Sequence, residues 1–236
     1  MATTARPYEP SPGRSPVTLA RARQALHAGT AVVLPNDAPL THVVTATRAR
    51  TVNEAKGRPP DQPVALWAHH PDTLAALDQI WDLAPATADT ARRLLAAERL
   101  TVLVPLRHPA SVPPWLTPAA KDGWTLLFGA RPHPLSPLLD EHPVLYVSSA
   151  NRTGHPPAAT TADALRMFPP GVAVLEPPDP EPAPASPGPP RRATTTVRLH
   201  PDGRLQLHRP GAQDQHAPGP DDYLRHLRER YPAVHG

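Results

Sequence analysis

Two short stretches carry side chains suited to holding an anion. In the first, AKGRPPDQP, Lys56 and Arg58 stand two apart in a loop stiffened by Pro59, Pro60 and Pro63, so both cations can project to one side. A compact ammonium next to a planar guanidinium fork suits a polyanion such as a phosphate chain. The plainer reading of the same residues is a solvated loop. In the second, LYVSSANRTGHP, an apolar strand ends in Ser149 and Asn151, which alternate at its C-terminal end. That end of a strand is where α/β sheets present ligands. A Ser or Asx turn with Gly154 at positive φ explains the same letters without a ligand.

The remainder of the 236-residue chain excludes several chemistries. There is no G-x-x-x-x-G-K-[ST] or G-x-G-x-x-G loop for a nucleotide, and no G-x-S-x-G elbow to make Ser148 or Ser149 a nucleophile. Without Cys there is no disulfide framework, thiol nucleophile or thiolate metal site. His69 and His70 are adjacent and predicted to point apart, and the histidines in general read as solvated or capping groups. Net charge is +3, with basic residues almost all Arg and Lys only at positions 56 and 121. This permits an anionic ligand or RNA without selecting either. The absence of a long apolar run or apolar leader predicts a cytoplasmic protein with no membrane partner.

The elements that must position the two stretches follow from periodicity and breakers. Residues 1–14 read as a flexible tail, and Ser15-Pro16 as the cap and first position of a helix ending at Gly29. Strands are predicted at 31–34, 43–46, 64–68, 101–106, 124–129, 144–149 and 171–176. Helices are predicted near 47–55, 71–81, 86–97, 135–140, 160–167 and 221–231. Residues 107–123 read as a Pro-rich loop, and 177–192, PPDPEPAPASPGPPRR, as a mobile one. Segments 194–200 and 204–209 form a hairpin around Pro201-Asp202-Gly203. Interleaved strands and helices define an α/β or α+β chain with a mixed sheet.

Taken together and in this order, the motifs resemble those of the YrdC-like threonylcarbamoyl-AMP synthase family. KGR, then about ninety residues, then SSAN-R-TG-x-P matches that family's K-x-R and S-x-N signature. GTAVVLPNDAP, KGRPPDQPVALW, GARPHPLSPLL, ATTTVRL and LHRPGA resemble further family segments, over about residues 15–213. Residues 214–236 are left as a C-terminal linker and helix.

The resemblance implies a twisted mixed sheet with flanking helices around a deep basic cavity. It implies a nucleotidyltransferase that joins an amino acid, bicarbonate and ATP into a carbamoyl adenylate and pyrophosphate, with Mg²⁺ on the triphosphate. By the same resemblance, Lys56, Arg58, Ser149 and Asn151 are the catalytic set, and Arg131, Thr194, Thr195 and Arg209 join them in holding ATP. The acceptor pocket departs from the pattern. Where the family reads P-T-x-T-x-Y-G-L, this chain places Asn36, Ala38 and Leu40 at the Thr, Thr and Tyr positions. A divergent enzyme with an altered acceptor is therefore expected, in specialised biosynthesis with a downstream carbamoyl-transferring protein. The alternatives are the housekeeping tRNA-modification enzyme, a non-catalytic double-stranded-RNA-binding module, and a carbamoyl-phosphate-dependent partner of a transferase.

Overall fold

The computed structural model describes residues 14–108, 111–130, 133–178 and 190–231. The expected N-terminal tail, most of the Pro-rich 177–192 segment, and Arg131 lie outside the described residues.

The strands are β1 (Val32–Leu34), β2 (Val43–Ala46), β3 (Ala65–Trp67), β4 (Thr101–Pro105), β5 (Ala120–Lys121), β6 (Trp124–Phe128), β7 (Tyr146–Ser149), β8 (Ala173–Val174), β9 (Thr196–Leu199) and β10 (Leu205–Arg209). They form one mixed sheet in the order β10-β9-β4-β6-β3-β7-β2-β1-β8, with β5 paired to β6. Pairing is parallel at β9/β4, β6/β3 and β1/β8 and antiparallel elsewhere. The helices are α1 (Leu19–His27), α2 (Ala49–Lys56), α3 (Pro71–Asp78), α4 (Pro85–Ala96), α5 (Ser136–Leu139), α6 (Thr161–Met167) and α7 (Pro220–Arg230).

Strand alternation explains the two apolar cores. Val33, Val44, Leu66, Val102, Val104, Leu127 and Val197 point to the larger core, under α2, α4, α6 and α7. Their neighbours Val32, Leu34, Val43, Ala65, Trp67, Phe128 and Val147 point to the smaller core, under α1 and α5. Along β4 and β9 that second face carries Thr101 and Thr196, paired in register, in place of large apolar groups. The smaller core therefore stops part-way across the sheet and a concavity opens beyond it.

Several boundaries differ from the predicted ones. The first helix does not begin at Ser15-Pro16. Val17 donates from its N–H to the Val174 carbonyl at 2.8 Å and bridges to Leu175, which holds this stretch extended, and Thr18 caps α1 instead. The strand at 171–176 shortens to 173–174, and the 107–123 loop contains a 3₁₀ turn at 117–119 followed by β5. His70 is the side-chain cap of α3, whereas His69 is neither solvated nor a cap. Its ring is 1% exposed, with Nδ1 3.0 Å from the Trp67 carbonyl oxygen and Nε2 3.0 Å from those of Leu139 and His142.

Candidate active site

Lys56 is the last residue of α2, and the turn after it needs glycine. Gly57 closes the helix at φ 65°, in the left-handed region, with its N–H on the Glu54 carbonyl at 3.0 Å. A Cβ there would lie 3.0 Å from Nη2 of Arg152. The loop that follows is organised by Asn53, a buried α2 residue absent from the sequence-derived site. Its amide donates to the Pro60 and Gln62 carbonyls at 2.9 and 2.8 Å, and its oxygen accepts from Arg58 Nε at 2.5 Å. With Nε so engaged, Nη2 of Arg58 is buried without a protein partner.

The two motifs meet directly. Lys56 Nζ donates to the Ser149 carbonyl oxygen at 2.5 Å and to Asn151 Oδ1 at 2.8 Å, while the Thr153 N–H donates to the Lys56 carbonyl at 3.0 Å. Ser149 Oγ also donates to Asn151 Oδ1, at 2.7 Å, and the Asn151 amide donates to the Arg152 and His155 carbonyls at 3.1 and 2.9 Å. The turn reading of SSANRTG is present, and the same segment contacts Lys56. Gly154 has φ 85° and the turn is real, and the turn's amide oxygen is what holds the lysine.

A cavity of about 200 Å³ lies on the open part of the smaller-core face. Arg58, Arg209, Ser149, Thr194 and Thr101 supply polar wall, and Val43, Ala65, Leu126, Phe128 and Val147 an apolar one. No Asp or Glu lines it among the described residues. Burial, then Arg58, then Arg209 bring the Lys56 pKa from 10.5 down to about 7, so Lys56 lies beside the two guanidinium groups of the cavity wall without itself lining the cavity. Burial alone lowers Arg58. His208, also in the wall, is lowered by burial and by Arg198 and Arg209.

The remaining sequence-derived positions divide. Thr194 faces the cavity and shares a 2.6 Å hydrogen bond with Thr101. Thr195 turns the other way: its hydroxyl donates to Asp214 at 2.5 Å and accepts from the N–H groups of Gln213 and Asp214. This fixes the 211–214 turn, where Gly211 comes so close that a Cβ would sit 2.3 Å from the Thr195 nitrogen. Asn36 and Leu40 line the cavity, whereas Ala38 is exposed and outside its wall. Arg191, unremarked in the sequence, donates to the carbonyls of Asn36 and Leu40 at 2.9 and 3.1 Å. The Thr41 N–H donates to the Arg192 carbonyl, and the Arg192 N–H to that of Pro39, both at 2.9 Å. The end of the Pro-rich segment is thereby tied to the expected acceptor loop.

A mixed sheet with a cationic concavity at one face defines the class, an α/β protein with a basic cavity. Residues 24–211 match the Sua5_yciO_yrdC family, described as "Telomere recombination", and the chain belongs to that family. No curated protein matches the chain significantly. Among solved structures, P. abyssi Sua5 complexed with L-threonine aligns at TM-score 0.57 and 19% identity, over 81% of this chain and 53% of that one. Full-length HypF in a phosphate- and nucleotide-bound form aligns at TM-score 0.56 and 13% identity, over 82% and 29%. E. coli YciO aligns at TM-score 0.53 and 12% identity, over 81% and 87%. The chain spans about half the length of that Sua5.

Proposed function

We propose that the chain is an ATP-dependent carbamoyl-adenylate synthase whose acceptor differs from L-threonine. The observation that carries this is the pairing of Arg58 and Arg209 in the wall of a cavity without a carboxylate, with Lys56 buried beside them and bound to Ser149 of that wall, in a member of this family. In the proposed reaction an amine nitrogen attacks bicarbonate with loss of water, giving a carbamate. A carbamate oxygen then attacks the α-phosphorus of ATP, the bond to the β-phosphate oxygen breaks, and pyrophosphate leaves.

Such a transfer needs positioning and charge stabilisation more than covalent help. Arg58, with its orphaned Nη2, and Arg209 would clamp phosphate oxygens. Lys56, aimed by Ser149 and Asn151, would place a point charge where negative charge develops. Ser149 and Thr194 would offer hydroxyls to the carbamate or nucleotide. For Mg²⁺ the wall does not fit a protein-held site, since it offers no carboxylate, so the ion would travel with ATP and water and no step is assigned to it.

The altered acceptor is supported by Asn36 and Leu40 in the cavity wall beside Val43, Ala65 and Phe128. These favour an amine with a short apolar body. Offering the protein ATP, Mg²⁺, bicarbonate and a panel of amino acids and simple amines, with pyrophosphate release and mass spectrometry as readouts, tests the reading. The expected result is an adenylate formed with an apolar amine or amino acid in preference to L-threonine. Efficient use of L-threonine would remove the altered-acceptor claim, and no adenylate with any acceptor would remove the synthase.

A further inference from the structure

On the α1 and α5 side of the sheet, His27 meets the adjacent pair Glu141 and His142 from a distant part of the chain, and none of the three lines the cavity. His27 is the last residue of α1, and Glu141 and His142 follow α5 directly. One ligand atom from each lies within 4.8 Å of the other two. The His27 and His142 ring centroids are 4.9 Å apart, and His27 Nε2 is 3.7 Å from Glu141 Oε2.

An independent observation points to a missing partner. His142 is 8% exposed, and its Nε2 is buried with no hydrogen-bond partner. A buried ring nitrogen of this kind is destabilising unless something accepts or supplies a bond. Burial, reinforced by His27 and opposed by Glu141, lowers the His142 pKa. The backbone beneath it is held in place. The His142 N–H donates to the Leu139 carbonyl at 3.0 Å, and the buried His69 ring contacts the His142 and Leu139 carbonyls.

We propose that His27, Glu141 and His142 form a binding site for a divalent transition metal of the zinc type, with water completing its shell. Two imidazoles and one carboxylate are the donor set that suits Zn²⁺, whereas Mg²⁺ and Ca²⁺ prefer all-oxygen sites. Tetrahedral Zn²⁺ wants ligand atoms about 3.4 Å apart, so small rotations of the two exposed side chains complete the site. Arg23 competes: its Nε contacts both Glu141 oxygens, at 2.7 and 3.0 Å. Metal entry requires that carboxylate to turn away from the guanidinium, which sets a moderate affinity.

Untagged full-length protein titrated with Zn²⁺ alone, by calorimetry or equilibrium dialysis, tests the site. One saturable equivalent of moderate affinity per chain is expected. His27→Gln and Glu141→Gln change exposed side chains that the fold does not need, and each is expected to weaken that equivalent by about tenfold or more. Arg23→Gln, which frees the carboxylate, is expected to tighten it. Wild-type affinity in both His27→Gln and Glu141→Gln, or no saturable equivalent in the wild type, would overturn the proposal. Weaker binding in Arg23→Gln would remove Glu141 from the ligand set.

Discussion

An ammonium buried beside two guanidinium groups is held where its charge is unfavourable, and Lys56 is such a group, with a pKa of about 7 against 10.5 in the unfolded chain. The sign of the consequence is fixed. Below pH 7 both states are protonated and the cost of burying the charge is fully present. Between 7 and 10.5 the unfolded chain binds more protons, so the stability of the unliganded protein rises with pH. The shift corresponds to a few kcal/mol. Lys56→Met is expected to abolish this slope, so the stability of wild type relative to variant should climb from pH 7 toward 10 in denaturant titrations. A flat difference would show that Lys56 titrates normally. An anion in the cavity should restore the proton: at pH 8, calorimetry of ATP binding in buffers of different ionisation enthalpy should show proton uptake by wild type and none by Lys56→Met. At the same scale, any part Asn151 takes in the proposed reaction would run through Lys56, because its Oδ1 accepts from Nζ and its amide is spent on backbone carbonyls. Asn151→Ala is therefore expected to reduce adenylate formation by about ten- to a hundredfold and to change its pH profile, a signature that simple loss of folding would not produce.

At the scale of elements, the local signals were readable where a segment's own residues decide its conformation. The β9/β10 hairpin forms around Pro201-Asp202-Gly203 as expected, and the helices expected near 71–81 and 86–97 form over Pro71–Asp78 and Pro85–Ala96. Prediction failed where a distant partner decides. Val17 is extended because Val174 and Leu175 bind it, and no periodicity within 15–29 could show that. The pairing of AKGR with SSANRTG was legible only through the family resemblance, and the consumption of Asn151 by Lys56, and the opposite facing of Thr194 and Thr195, depend on the fold. Arg191 was invisible because its partners are carbonyls, which leave no side-chain signature. The short turn between Lys56 and Arg58 carries the site's geometry. Gly57→Ala forces a side chain into the left-handed region beside Arg152 and is expected to lower stability by about 1–2 kcal/mol. It should also weaken ATP binding measured at a temperature where the variant stays folded. Arg191→Ala, by contrast, should leave ATP affinity near wild type and shift acceptor preference, because it releases only the loop carrying Asn36 and Leu40.

Across the whole molecule, a sheet with large side chains on one face and Thr101, Thr196, Ala65 and Ser149 on part of the other leaves a concavity by subtraction of volume. The guanidinium groups reach it from two parts of the chain, Arg58 from the turn after α2 and Arg209 from the end of β10, with Lys56 buried beside them, so the cationic cluster exists only once the sheet has formed. No helix among the described residues is long and apolar enough to cross a membrane. The sharpest test of the central claim is to supply carbon-13 bicarbonate, ATP, Mg²⁺ and an accepted amine, and to look by mass spectrometry for an adenylate carrying the label. The account predicts a labelled carbamoyl adenylate formed together with pyrophosphate, and its loss in Lys56→Ala and Arg58→Ala. An unlabelled adenylate, or equal turnover in both variants, would contradict it.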